Sequence, residues 1–105
     1  MRAQMGAAPE ILSPAALETM HRARVSTAPH GRRNAMDRAL TDAAYGLGWR
    51  SFTYAGRRLV GHRGWVDGYG SLILFDPAHW SGIVVLWNTN WPRASRLQST
   101  FFDML

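Results

Sequence analysis

The sequence predicts an α+β fold: an antiparallel sheet of about four to five strands, flanked by a short N-terminal helix and a C-terminal amphipathic helix. Three observations carry this expectation. Ser13-Pro14 is a helix-start signal, short apolar or alternating runs separated by turn residues fill the stretch from Tyr45 to Trp87, and Ala94, Leu97, Phe101 and Leu105 recur at helical spacing. At 105 residues, with 47% hydrophobic and 18% charged residues, the chain has the composition of one globular domain with a modest core.

Residues 1–9 show no periodicity and are expected to be disordered. Serine at position 13 can accept from orphan backbone N–H groups, and Pro14 is pre-set for the first helical position. A helix is therefore expected from Pro14 to Arg22 or Arg24, with Leu12 and Leu17 placed to staple its start. Proline, glycine and polar residues over 26–34 predict a loop, and 35–44 has apolar spacing consistent with a helical turn but too weak to decide.

From Tyr45 the period changes. Tyr45, Leu47 and Trp49 alternate with Gly46, Gly48 and Arg50, the pattern of a half-buried strand whose glycines mark a bulge or a close approach. Ala55-Gly56-Arg57-Arg58 reads as a hairpin turn into an extended Leu59–His62, and Gly64, Gly68 and Gly70 punctuate the next stretch of chain. The run Ser71–Phe75 predicts a buried strand, Asp76–Gly82 a turn, and Ile83–Trp87 a further β-branched strand. Asn88–Pro92 then serves as a capping segment for the last helix. The order of elements predicts a sheet covered on one face by helices, with no internal repeat and no domain boundary.

Composition excludes several function classes. All twelve basic residues are arginine, so the net charge of +5 rests on guanidinium groups and no lysine exists to act as general base, Schiff-base former or P-loop cation. The arginines are scattered outside any nucleic-acid-binding pattern, and no nucleic-acid partner is expected. There is no cysteine, hence neither disulfide nor thiolate chemistry, and the redox compartment stays open. The apolar runs fall far short of the roughly 20 residues of a membrane span, and the first ten residues lack the apolar region of a signal peptide. His21, His30, His62 and His79 are too far apart to form a metal motif, and neither metal nor cofactor is expected.

Five stretches occur in order along the chain: Ile11-Leu12-Ser13-Pro14, Tyr45-Gly46-Leu47-Gly48-Trp49, Gly61-His62-Arg63-Gly64, Val66-Asp67-Gly68-Tyr69-Gly70-Ser71 and Gly82-Ile83-Val84-Val85-Leu86. Together they resemble the C-terminal part of the class C β-lactamase and penicillin-binding-protein-related serine hydrolase family, from Glu10 to the end of the chain. The resemblance implies a catalytic apparatus of S-x-x-K (nucleophile and base), Y-x-N (proton transfer) and a K-T-G or H-x-G triplet lining the cleft. Only the last has a counterpart. His62-Arg63-Gly64 stands where the triplet belongs, on an inner strand, and by resemblance the N–H of Trp65 is the second oxyanion-hole donor. His62 would hydrogen-bond a carbonyl or anionic group of the substrate; the plainer reading is a polar strand residue without a catalytic task.

No serine here can belong to S-x-x-K, because the chain has no lysine. Tyr54-Ala55-Gly56 imitates Y-x-N but ends in glycine and falls in the expected hairpin. A Ser-His-Asp arrangement of His62 with Asp67 or Asp76 is chemically conceivable, but no spacing supports it and no G-x-S-x-G elbow is present. The five tryptophans suggest either a stacking surface or core and cleft lining, with Trp49 and Trp87 assigned to packing. The expectation is a partial domain, the C-terminal segment of a β-lactamase-like hydrolase that is inactive by itself. Its implied partners are a missing N-terminal half or another copy, and the parent family's substrates are small esters or amides. H-x-G in place of K-T-G leaves lactamase, esterase and peptidase chemistry open. The competing reading is a non-catalytic module that pairs through its exposed sheet edge.

Overall fold

The structure, a computed structural model, describes residues 1–28, 39–89 and 94–105. The loop expected over 26–34 lies outside the described residues from Pro29 onward, as do residues 35–38 of the undecided stretch and 90–92 of the expected capping segment. A 3-10 turn, Arg2–Met5, occupies part of the stretch expected to be disordered, and Gln4 Oε1 from this turn lies 2.8 Å from His21 Nε2. Helix α1 runs Pro14–His21; Ser13 caps it by accepting from the Ala16 N–H at 3.2 Å, as the Ser-Pro signal predicts.

Six strands come next: β1 (Val25–Ser26), β2 (Thr41–Tyr45), β3 (Arg50–Tyr54), β4 (Arg57–Val66), β5 (Tyr69–Asp76) and β6 (Ser81–Trp87). They pair in sequence order, each antiparallel to the next, and helix α2 (Ala94–Asp103) closes the chain. The architecture is α+β with six strands where the sequence predicts about four to five. The additional pairing comes from β1, only two residues long, and from β2, which falls in the undecided 35–44 stretch and carries a register shift between Thr41 and Ala44. Asp42, at φ 51°, sits in that bulge, which obscures the two-residue period.

The strand expected from Tyr45 onward is interrupted by a turn over 46–49, and extended backbone resumes as β3. Tyr45 ends β2, the Gly46 N–H donates to the Trp49 carbonyl at 2.7 Å, and Leu47 is half exposed. Its glycines serve the turn and a close approach: a Cβ on Gly46 would lie 2.5 Å from the Met20 carbonyl at the end of α1. The Ala55-Gly56 hairpin forms as expected, and Asp67-Gly68 makes a second one between β4 and β5. In both, the two central residues have positive φ (48° and 78°, 33° and 86°), the geometry of a two-residue turn that matches strand twist.

The helices lie on opposite faces of the sheet, a correction to the single covered face expected. Leu59, Leu72 and Leu74 point one way and pack with Phe101 and Phe102 of α2, joined by Phe52, Tyr54, Ile83, Val85 and Trp87. Their strand neighbours Ser51, Val60 and Phe75 point the other way, where Phe75 meets His21 of α1 at 5.7 Å and Trp49 at 5.3 Å between ring centroids. Residue order alone does not reveal which parity of side chains each helix covers. Tyr54 stacks on Phe102 at 4.4 Å, which ties Tyr54-Ala55-Gly56 to the core and to the hairpin and not to a Y-x-N role.

Candidate functional site

The four residues singled out from sequence lie consecutively on β4. In the ladder with β5, His62 faces Ile73, Arg63 faces Leu72, Gly64 faces Ser71 and Trp65 faces Gly70. The preceding half of β4 is buried, with Leu59 and Val60 at 0% and 1% exposure; Gly64 and Trp65 emerge into solvent. β4 is an inner strand of the sheet, but β3 accompanies it only as far as Gly61, opposite Arg50.

That mismatch in length has a chemical consequence. In an antiparallel ladder, hydrogen-bonded and non-hydrogen-bonded pairs alternate, and the pair flanking a two-residue turn is hydrogen-bonded. Val66 and Tyr69 flank the Asp67-Gly68 turn, so Trp65 and Gly70 form a non-hydrogen-bonded pair, and the N–H of Trp65 points away from β5. It points toward the side on which β3 has already ended. The same alternation counted from the Ala55-Gly56 turn turns Arg57, Leu59 and Gly61 toward β3, so the two hairpins agree.

His62 is half-buried, and its Nε2 lies 2.9 Å from the Tyr45 hydroxyl, with the two rings edge to face at 5.9 Å. Tyr45 escapes sequence reasoning as a site residue: it stands 17 positions away, and its contact with His62 arises from pairing β2, β3 and β4, not from any local pattern. Gly64 is exposed, and a Cβ there would meet Ser71 Oγ at 2.6 Å. Neither Asp67 nor Asp76 is joined to His62. Asp76 is buried on the far end of β5, where its carboxylate holds Arg57 and His79, each at 2.8 Å.

A groove of about 470 Å³ opens at this end of the sheet, lined by Gly64, Trp65, Tyr69, Ser71, Leu86 and Trp87 among others. No carboxylate, guanidinium or imidazole lines it among the described residues. The Trp65 and Trp87 rings meet at 6.4 Å with a 53° tilt, and the Trp87 indole lies over Gly70, where a Cβ would overlap it. A larger cavity, about 640 Å³, lies between α1 and the sheet beside His21, Ser51 and Arg58, and none of His62, Arg63, Gly64 or Trp65 lines it. Among the described residues no helix is long and apolar enough to cross a membrane.

Comparison with known proteins bears on this arrangement. The chain is 34% identical over 84 residues to an unguisins hydrolase of Aspergillus campestris, an alignment covering 80% of the chain and 15% of that relative. It is 38% identical over 52 residues to an unguisins hydrolase of Aspergillus violaceofuscus, covering 50% of the chain and 9% of the relative. The chain thus spans a small part of the length of the curated relatives it matches. A beta-lactamase family model matches residues 5–101, a range that takes in α1, the whole sheet with the β4 triplet, and most of α2, and on that match the chain belongs to the beta-lactamase family.

Proposed function

We propose that this chain supplies the H-x-G strand and one wall of the oxyanion hole of a β-lactamase-like serine hydrolase, of the lactamase, esterase or peptidase type, and carries no nucleophile of its own. The observation that carries the reading is a family match spanning β4 in a sequence without a single lysine. The Trp65 N–H is directed to the open side of β4 and held by a rigid ladder, as a donor to developing negative charge must be. His62, steadied by the Tyr45 hydroxyl, can donate to or accept from a polar group of the substrate beside Gly64. The attacking oxygen and its base have to come from other residues, such as the remainder of a longer protein. The relatives are named as hydrolases of unguisins, which makes that class of compound a candidate substrate for such an assembly.

The purified chain is expected to hydrolyse neither nitrocefin nor p-nitrophenyl esters and to gain no mass on incubation with them. An acyl adduct in the mass spectrum would sink the reading. In an assembly that joins these residues to a serine–lysine pair, Trp65→Pro deletes the N–H without removing a β4–β5 ladder bond. It is expected to lower turnover by about 10²- to 10³-fold, the effect of losing one oxyanion donor.

A second reading is favoured by β6. It is an edge strand, Ser81–Trp87, without charge or proline, and Val84 and Leu86 are 52% and 78% exposed. Natural edges are normally protected by charges, prolines or bulges, so this one is suited to pairing with another strand, in a non-catalytic interaction module or a second copy. Size-exclusion chromatography across a concentration series tests it, and a monomer throughout would count against self-pairing.

A further inference from the structure

We infer that Tyr45 is a positioning residue that keeps the proton of the neutral His62 ring on Nδ1, so that this imidazole meets a ligand as a hydrogen-bond donor and takes a carbonyl or carboxylate oxygen. This deepens the proposed function and rests on reading His62 as a cleft residue.

The contact comes from the lengths of the strands. β3 lies between β2 and β4, and at this end it extends only to Arg50, which pairs with Tyr45 on one side and Gly61 on the other. His62 is the next residue of β4 and has no β3 partner, so Tyr45, the last residue of β2, can reach it. The Tyr45 hydroxyl lies 2.9 Å from His62 Nε2, with the rings edge to face at 5.9 Å.

A bond between a phenol and an imidazole can run either way, and acidity decides its sense. The phenol is the better donor and the imidazole nitrogen the better acceptor, so the O–H donates and Nε2 accepts. Arg50 favours the same sense: it stands across from Tyr45 in the β2–β3 ladder, and its charge interacts with the phenol. A nearby cation makes the phenol oxygen a poorer acceptor and its proton easier to give. With Nε2 engaged as the acceptor, the single proton of a neutral ring resides on Nδ1.

The other histidines among the described residues are held differently. His21 Nε2 meets the Gln4 amide oxygen and His79 Nδ1 meets the Asp76 carboxylate, acceptors that each draw an N–H. Of these rings, only that of His62 is bonded to a group able to donate. Its Nδ1 has no hydrogen-bond partner among the described residues, and since Nε2 is taken, a ligand meets the ring at Nδ1.

Long-range nitrogen–proton correlation NMR of the 105-residue chain, at about pH 8.5 where imidazole rings are neutral, reads which ring nitrogen bears the proton. His62 is expected to carry it on Nδ1. Histidine in water favours the proton on Nε2, and Tyr45→Phe should return His62 toward that form while the ring signals of His79 stay where they are. A proton on Nε2 in the parent, or an unchanged proton position in a folded Tyr45→Phe, overturns the inference; the parent's result decides it if the variant does not fold. Acetate added to the parent is expected to shift the His62 Nδ1 signal, and methylammonium to leave it unmoved. A response to methylammonium and not to acetate overturns the donor role. A proton on Nδ1 that answers to neither supports the assignment of Tyr45 and overturns only the reading of His62 as a cleft residue.

Discussion

Replacing Asp76 tests how the sheet is held to the C-terminal helix. The residue is 1% exposed, and its two carboxylate oxygens take four donors: Arg57 Nε and His79 Nδ1 at 2.8 Å, and the Ala78 and His79 backbone N–H groups at 3.0 and 3.2 Å. Arg57 also donates to the carbonyl of Leu105, so one guanidinium links the β3–β4 hairpin, the β5–β6 turn and the end of the chain. Burial by itself would raise the Asp76 carboxyl, but the hydrogen bonds from His79 and Arg57 outweigh it and hold the group below its ordinary value of 3.8.

Asp76→Asn keeps an acceptor for the turn N–H groups and loses the charge that pairs with Arg57. A hydrogen bond to a charged group contributes about 1.5–3 kcal/mol, so a loss of about 2 kcal/mol is expected, or a Tm lower by roughly 8–16 °C in a domain of this size. Asp76→Ala also strips the turn of its acceptor, and breaking a buried pair costs about 3–5 kcal/mol. Because the Arg57 and His79 side chains are 22% and 57% exposed, the lower end of that range applies. Urea unfolding followed by tryptophan fluorescence measures both variants. With the carboxyl depressed in the folded state, the unfolded state takes up the proton first. The stability from Asp76 is therefore complete above about pH 5 and fades as pH falls through the folded value. The gap between the parent and Asp76→Asn should close over that same acid range. A gap under about 0.5 kcal/mol at pH 7, or one that does not change with acidification, refutes the argument.

Three further outcomes are expected. His21 is buried; burial and then the nearby Arg58 guanidinium lower its basicity, so acidification below 6.5 protonates the unfolded state first and stability falls there. His21→Gln should flatten stability in that window, measured by unfolding between pH 7.5 and 5.5, and a variant as acid-sensitive as the parent would contradict this. Tyr45→Phe removes the hydroxyl on His62 Nε2 and should lower stability by about 1 kcal/mol while moving the His62 ring-nitrogen signals in NMR. Gly70→Ala sets a methyl into the Trp87 indole and should destabilise by about 1–3 kcal/mol, with a change in the Trp87 environment visible in near-ultraviolet circular dichroism.

Much of this fold is legible where the chemistry is local. A capping hydroxyl next to a proline announces α1, and the runs over 71–75 and 83–87 announce β5 and β6. Two features resist for physical reasons. The alternation of Tyr45, Leu47 and Trp49 imitates a strand, yet glycines at 46 and 48 serve a turn whose shape depends on the end of α1 packing against it. β1 and β2 are short, and one of them bulges, so their identity as strands comes from pairing partners and not from their own period. For the proposed site, the sequence places His62 to Trp65 on an extended segment but gives no sign of Tyr45, whose contact with His62 depends on the β2–β3 and β3–β4 pairings.

The β4–β5 hairpin divides into two halves with different duties. Leu59, Val60, Leu74 and Phe75 lie at 0–1% exposure between α1 and α2, so substitutions there act on stability. From His62 to Tyr69 the hairpin runs past the end of β3; its ladder with β5 continues unbroken while side chains such as Trp65 and Tyr69 are more than half exposed. The ladder thus joins a buried half to an exposed one, and substitutions at the exposed Trp65 or Leu86 should leave the unfolding free energy within about 0.5 kcal/mol of the parent. The donor proposed for the oxyanion is a backbone N–H, which every residue but proline provides. What distinguishes Trp65 is its place in a register: paired across from Gly70, one step from the turn, and, among the described residues, beyond the end of β3 on its other side. No residue type encodes that property, so it becomes visible only once both hairpin turns have been counted out strand by strand.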